Sequence, residues 1–526
     1  MSKPSCAGRR ARPTHSVEPT ARSEPQAAAQ REIDRRRMNA LVQRPTAPTD
    51  LDPVRPAGDA FGQIERRGVE RIPDAERHGT ARELFLLWVA PNITYLNIIL
   101  GGTTIRLGLN LPQAIGVIVA GNAFWLLAGL ISVSGSRSGT PGSVVMRAMF
   151  GVRANRLNVA ISAWGLGVAY EAINLSVGAL AGFALLENLG ITAGPSWKLA
   201  IVMAIGVVTL TISIYGHATI VRLSGWFTLL LTLCFGVVAW CVLRHANLHY
   251  VAPQATGAPG AWVAASVGLA TIASTPLSWP TAADYARYLP SRASARAIVG
   301  WTALGGFLPC VLLAGLGALA ATAIDMSDPQ TSLGTILPHG FYPVFLLVII
   351  VGSITNNVLT AYSSGLALQA AGVKARRAVT VFIDGVCAVS LTIYALFVSN
   401  FFDALNNFLS LSVAVLGPCV AIYVTDSLLR RHRYDGLELT DESPSSPFWY
   451  RRGVHWTGVA ALTAGTAVAL LCINSPVLVG TVAHALKGLD LSAVAGPLVA
   501  AGVYAAMTAG PRRARRDAAD SPGPAR

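Results

Sequence analysis

From residue 84 onward the chain is a succession of long apolar runs, separated by short polar segments rich in Arg, Gly and Pro. A helix needs about 20 apolar residues to cross a hydrocarbon core of about 30 Å. Twelve runs are long enough, near 84–107, 111–134, 159–187, 197–215, 219–243, 262–285, 297–323, 342–370, 379–400, 404–426, 455–473 and 490–508; they are numbered here as spans one to twelve. The pattern predicts an all-α polytopic membrane protein. Residues 1–80 contain no such run and are rich in Arg, Ala, Pro, Glu and Gln, a composition that cannot bury enough surface to offset chain entropy. A disordered tail is therefore expected there. No apolar segment follows the early arginines, as a secretory signal would require, and the many acidic residues are unlike a transit peptide, so span one is expected to insert the chain. The loop 431–454, with its acidic and Ser-Pro residues at 435–447, reads as solvated, and 509–526 as a basic tail.

Two spans are interrupted. Span six carries Pro276 and Pro280 within Ser274-Thr275-Pro276-Leu277-Ser278-Trp279-Pro280, and span one carries Pro91 beside Asn92. Each proline removes a backbone donor and clashes with the preceding turn. A kink accommodates this, but a full break at membrane depth is tolerated only where it is buried in protein or lines a water-filled cavity. Two broken spans, five apart and oppositely oriented, are what an inverted five-plus-five repeat produces, and in secondary transporters such breaks build the substrate site. The expected halves are 81–243 and 244–430, followed by the two spans of 455–508.

Composition agrees with the span pattern. Hydrophobic residues make up 52% and charged residues 13%, and the mean hydropathy is +0.50. The net charge of +14 comes with arginines that flank apolar runs. Arg137, Arg147, Arg153 and Arg156 follow span two; Arg287, Arg292 and Arg296 follow span six; Lys374, Arg376 and Arg377 follow span eight. Loops of the opposite set carry only Arg106, Lys198, Arg244 and Lys487. By the positive-inside rule both termini are expected in the cytoplasm, with the chain in the inner or plasma membrane. Neither a nucleic-acid signature nor a CxxC or Cys/His metal spacing is present, and P-loop, HExxH and Ser/His/Asp patterns are missing. The reading is of a protein that is not an enzyme, with no cofactor, no resident metal and no obligate protein partner. Asp284, at the inner end of span six, and Asp384, near the start of span nine, read as solvated caps or local ion pairs as readily as gating groups.

Chemistry concentrates on spans three and eight. Glu171 is the one carboxylate expected deep in the bilayer, where a charge costs at least about 2.5 kcal/mol and so normally faces a cavity or a partner. Trp164, Gly167, Glu171, Asn174 and Gly178 recur at helical spacing and share a face. Span eight presents Gly352, Asn356, Thr360 and Ser363 on one face and Ser353, Asn357 and Ser364 on the next. Such residues also hold membrane helices together. Two adjacent asparagines, however, offer paired donors and acceptors that suit the edge of an amide-containing heterocycle, and Trp164 and Trp279 offer flat faces for stacking.

Taken together, Ala90-Pro91-Asn92, the stretch Gly135-Ser136-Arg137-Ser138-Gly139-Thr140-Pro141 followed by Arg147 and Phe150-Gly151, the stretch Asp284-Tyr285-Ala286-Arg287-Tyr288-Leu289-Pro290, and Asn356-Asn357 resemble the nucleobase:cation symporter-1 family of purine, cytosine, uracil, allantoin and hydantoin permeases and some vitamin transporters. The resemblance covers roughly residues 80 to 430. It implies a leucine-transporter-like fold and a cation symporter that imports a planar nitrogen heterocycle by alternating access. The substrate residues it implies, with those read above, are Trp164, Glu171, Asn174, Ser278, Trp279, Asn356 and Asn357. A cation site between spans one and eight would involve Ala90, Asn92 and Thr355. Ile354 stands beside Thr355 where sodium-coupled members offer a hydroxyl, so the coupling ion is read as H+ or Na+, with Glu171 the candidate for protons. A non-transporting receptor or sensor, and a transporter of a vitamin-like ring, are the competing readings.

Overall fold

The computed structural model describes residues 61–252, 260–326, 329–398 and 401–520, with backbone alone for 401–404, 406 and 510–520. Among these, ten helices are long and apolar enough to cross a membrane, and the pair Glu83–Asn92 and Tyr95–Arg106, bent by 61°, makes an eleventh span. Spans two to five are Leu111–Ser138, Val152–Asn188, Pro195–Tyr215 and His217–His245, and span six is Ala261–Tyr285. Spans seven to ten are Ala295–Ala321, Tyr342–Ala370, Arg377–Phe397 and Phe401–Leu429. Span eleven, Trp456–Cys472, is apolar but has only 17 residues, about 25 Å at 1.5 Å per residue; span twelve is Ser492–Asp520. Spans eleven and twelve pack on one another and on span ten.

Amide side chains satisfy the broken backbone of span one. Its first helix ends at Asn92, one residue past Pro91, and the chain resumes helix at Tyr95 after an extended Thr94. Asn92 Nδ2 donates to the Trp88 carbonyl at 2.8 Å, and Asn97 Nδ2 donates back to the Asn92 carbonyl at 2.8 Å. In span six, Pro276 stays within the helix Ala261–Leu277; the break comes at 278–281, around Pro280, before a short 3-10 turn Ala282–Tyr285. The second half of span one is seated on span seven backbone to backbone, because a Cβ on Gly101 would lie 1.8 Å from the Ala314 carbonyl oxygen.

At the Arg-rich end the two loop motifs interlock. Asp284 is fully buried and accepts from the Gly142 amide at 2.7 Å, Ser132 Oγ donates to the Ala282 carbonyl at 3.1 Å, and Ser136 Oγ to the Pro290 carbonyl at 3.2 Å. Asp284 is thus no solvated cap: it fastens the loop after span two to the loop after span six. Asp384 is likewise buried, not solvated.

Residues 61–80 correct the expected extent of the disordered tail. They pack on the bundle, with Glu65, Ile72 and Arg77 buried. The Arg77 guanidinium donates to the carbonyls of Ile72, Ser136 and Ser138, filling space beside Gly139, whose left-handed φ of 70° favours glycine. Hydropathy misses this segment because polar bonds, not an apolar run, hold it. The remainder of the expected tail, residues 1–60, lies outside the described residues. The loop 435–447 is also more engaged than expected: Leu439 is buried, and Arg147 donates to its carbonyl at 2.9 Å and pairs with Glu442 at 2.5 Å.

Candidate functional site

The two broken spans meet spans three and eight around a cavity of about 40 Å³. Asn92 and Asn97 of span one, Tyr170 and Asn174 of span three, Ser278 and Trp279 of span six, and Asn356 and Thr360 of span eight line it.

Two aromatic rings in the wall are held firmly. Tyr170 Oη bonds Ser412 Oγ at 2.9 Å and donates to the Ser274 carbonyl at 3.2 Å, while its ring meets Phe408 edge-on at 4.9 Å. The Trp279 ring packs edge-on against Trp88 at 5.0 Å and Tyr285 at 6.0 Å. Between the spans runs a chain of amides. Asn174 Nδ2 donates to its own helix at Tyr170 and to Asn356 Oδ1, both at 3.0 Å, and Asn356 Nδ2 donates to the Pro91 carbonyl at 2.8 Å. Asn174 Oδ1 is buried with no partner. The wall therefore offers an unused acceptor beside donors that are already committed, which is a demand for an N–H donor from whatever enters.

Of the residues predicted for substrate, Asn174, Ser278, Trp279 and Asn356 line the cavity, and Trp164, Glu171 and Asn357 do not. The register of span three explains the difference. Ala163, Gly167, Tyr170 and Asn174 face the cavity, so Gly167 and Asn174 belong to both the predicted and the observed stripe, but the face is rotated by one residue, from Glu171 to Tyr170. Trp164 sits in a π-helical turn, Ala160–Gly165, which breaks the 3.6-residue period that the prediction assumed. Tyr170 was missed although it stands four residues before Asn174; the polarity of Glu171 drew the predicted face away from it. The Glu171 side chain instead meets Asp384 of span nine, and Asn357 Nδ2 donates to the Glu171 backbone carbonyl at 2.9 Å.

Among the predicted cation residues, Asn92 lines the cavity, Ala90 is buried just before the break, and Thr355 Oγ1 donates to the Val351 carbonyl at 2.8 Å. The break carbonyls of Pro91 and Asn92 already accept from the amides of Asn356 and Asn97. Among the described residues no cluster of three His, Cys, Asp or Glu could hold a metal.

Comparison with known proteins agrees with this architecture. A protein of Bacillus subtilis (strain 168) named "Putative purine-cytosine permease YxlA" is 25% identical over 466 residues, covering 84% of this chain and 95% of that one. The purine-cytosine permease fcyB of Emericella nidulans is 25% identical over 476 residues, covering 84% and 87%. Mhp1, a nucleobase-cation-symport-1 family transporter solved in a closed conformation with bromovinylhydantoin bound, superposes with a TM-score of 0.70 at 18% identity, covering 86% of this chain and 96% of that one. The fold is leucine-transporter-like, as the resemblance implied. Residues 71–496 match the model of the permease family for cytosine/purines, uracil, thiamine and allantoin, and with most of its length inside that match the chain belongs to this family of multi-pass membrane transporters.

Proposed function

We propose that this permease imports a small planar nitrogen heterocycle, a nucleobase or a related ring such as a purine, cytosine, uracil, allantoin or hydantoin, by cation-coupled alternating access. One observation carries the reading: Tyr170 and Trp279 flank a cavity in which Asn174 Oδ1 is an unsatisfied acceptor beside Asn356. A ring that stacks on the aromatic faces and donates an N–H satisfies the unpaired Asn174 acceptor in the wall. The Arg-rich loops support an orientation with both termini in the cytoplasm of a cell in whose inner or plasma membrane the chain sits.

The coupling cation is H+ or Na+. A vitamin-like ring fits the same wall, in line with the 24% identity to a protein named the vitamin B6 transporter TPN1 of Saccharomyces cerevisiae. A receptor that does not transport finds no support in a family of permeases.

Purified protein in liposomes, offered labelled purines, cytosine, uracil, allantoin, hydantoin and pyridoxine under separate sodium and proton gradients, tests the reading. Saturable uptake of at least one ring, driven by one of the gradients, is expected. Failure to take up or exchange any of them would remove it.

A further inference from the structure

Behind the cavity wall lies a second polar cluster that the substrate site does not use. Glu171 of span three and Asp384 of span nine bring their carboxyl groups together where both side chains are buried. Ser364 of span eight donates to Asp384 Oδ1. The Trp164 indole N–H is turned toward Asp384 without closing a hydrogen bond. Glu171 Oε1 and Asp384 Oδ2 are buried with no partner. Among the described residues no Lys, Arg or His acts on either carboxyl; the groups that reach them are Tyr285, which feels Glu171, and Cys387, one turn along span nine, which feels Asp384. Arg377, roughly two turns from Asp384, is committed to the Ser213 and Ile214 carbonyls.

The count of donors and acceptors is unbalanced. Two ionised carboxyls in contact, away from cations and water, repel one another and leave acceptors without donors. A proton on one of them turns an acceptor into a donor and removes the repulsion, the arrangement by which paired carboxyls share one proton.

We infer that Glu171 and Asp384 together form the proton site of this transporter, holding one proton between them while spans three and nine are closed on each other and losing it to water on one side when they part. The inference rests on the transport reading above and specifies its ion. Only an O–H bond forms and breaks: the proton comes from water on one side and goes to water on the other. The pair shares span three with the cavity, and span eight, which lines the cavity, bonds Asp384 through Ser364 and the Glu171 carbonyl through Asn357. Tyr170 precedes Glu171 in span three, and Asn356, which bonds Asn174, precedes Asn357, which is bonded to the Glu171 carbonyl. A ring that displaces the Asn174 to Asn356 bond therefore acts on the two helices that frame the carboxyl pair.

Two measurements on the full chain test this, one of them independent of substrate. Infrared difference spectra of the purified protein across a pH titration should show a protonated-carboxyl C=O stretch that titrates and that disappears in both Glu171→Gln and Asp384→Asn. In liposomes, with cytosine and hypoxanthine as probes, accumulation driven by a proton gradient should fall at least tenfold relative to counterflow in either variant, and Glu171→Asp should recover part of it. A stretch that is missing from the parent or survives both substitutions, or proton-driven accumulation that keeps pace with counterflow in both variants, would overturn the proposal. If the parent shows counterflow of none of the rings offered above, the transport reading falls, while the infrared result still decides whether the pair carries a proton. Variants that elute as aggregates are replaced by Glu171→Asp and Asp384→Glu, which must shift the titration of the stretch; an unmoved titration counts against the pair.

Discussion

Glu65 Oε1 lies 2.6 Å from Nη2 of Arg287, in an ion pair whose side chains are only 2% and 0% exposed. The same oxygen accepts from Tyr288 Oη at 2.7 Å and Tyr362 Oη at 3.2 Å, while Oε2 accepts from the His217 amide at 2.9 Å. Arg287 Nη1 in turn donates to the Gly68 carbonyl at 2.6 Å. A segment that precedes every span thus ties together the start of span five, the loop after span six and the end of span eight. Buried charges persist in a fold only when they are paired and hydrogen-bonded like this.

Breaking this pair leaves a poorly matched buried charge, Glu65 keeping Arg377 at 3.9 Å, and loss of a buried partner costs up to about 3–5 kcal/mol. Glu65→Ala and Arg287→Ala should therefore each lower the thermal midpoint of the purified protein markedly, and the double variant should be less harmful than the sum of the two. Truncation separates the same segment from the rest: a chain beginning at residue 61 should fold and transport, and one beginning at residue 83 should not. Equal midpoints for parent and Glu65→Ala would show that the pair contributes nothing to stability.

In the cavity, Tyr170→Ala and Trp279→Ala should each weaken binding of the transported ring by about 1 kcal/mol of lost stacking. Asn356→Ala should cost about 1–3 kcal/mol, since it strands the Pro91 carbonyl and takes away the partner of Asn174. Trp164→Phe should leave affinity within a factor of two, because Trp164 does not line the cavity. Binding measured by scintillation proximity or calorimetry ranks the four; a larger loss for Trp164→Phe than for Tyr170→Ala would reverse the register assigned to span three.

The docked loop makes a pH prediction. Burial works against the Glu442 charge, but Arg147 and Arg156, at 2.5 and 2.6 Å, outweigh it and hold the carboxyl below its ordinary value. A carboxyl with a depressed folded value stabilises the fold above its unfolded value of about 4.3 and loses that contribution as pH falls through the folded value. Glu442→Gln should accordingly melt lower than the parent at pH 7, with the gap closing only below about pH 4. A gap that persists unchanged into strong acid would assign the effect to packing.

The amino-acid sequence by itself determined the span architecture and the two interruptions, because a hydrocarbon core demands long apolar runs and proline cannot donate to a helix wherever it stands. It also supplied four of the predicted substrate residues in the cavity wall, Asn174, Ser278, Trp279 and Asn356, together with Asn92, since polar and aromatic side chains near a broken helix have few other uses in an apolar bundle. What only the tertiary structure decided is which neighbour each side chain meets. One residue of rotation on span three, about 100° of helix, exchanged Glu171 for Tyr170 at the cavity and sent the carboxyl to Asp384, and a π-turn upstream removed Trp164. Glu65 was invisible for the complementary reason. Its segment has no periodic apolar face, and its place in the fold comes from a charge and three hydroxyl or amide donors supplied by residues more than 150 positions away, contacts that no local pattern encodes.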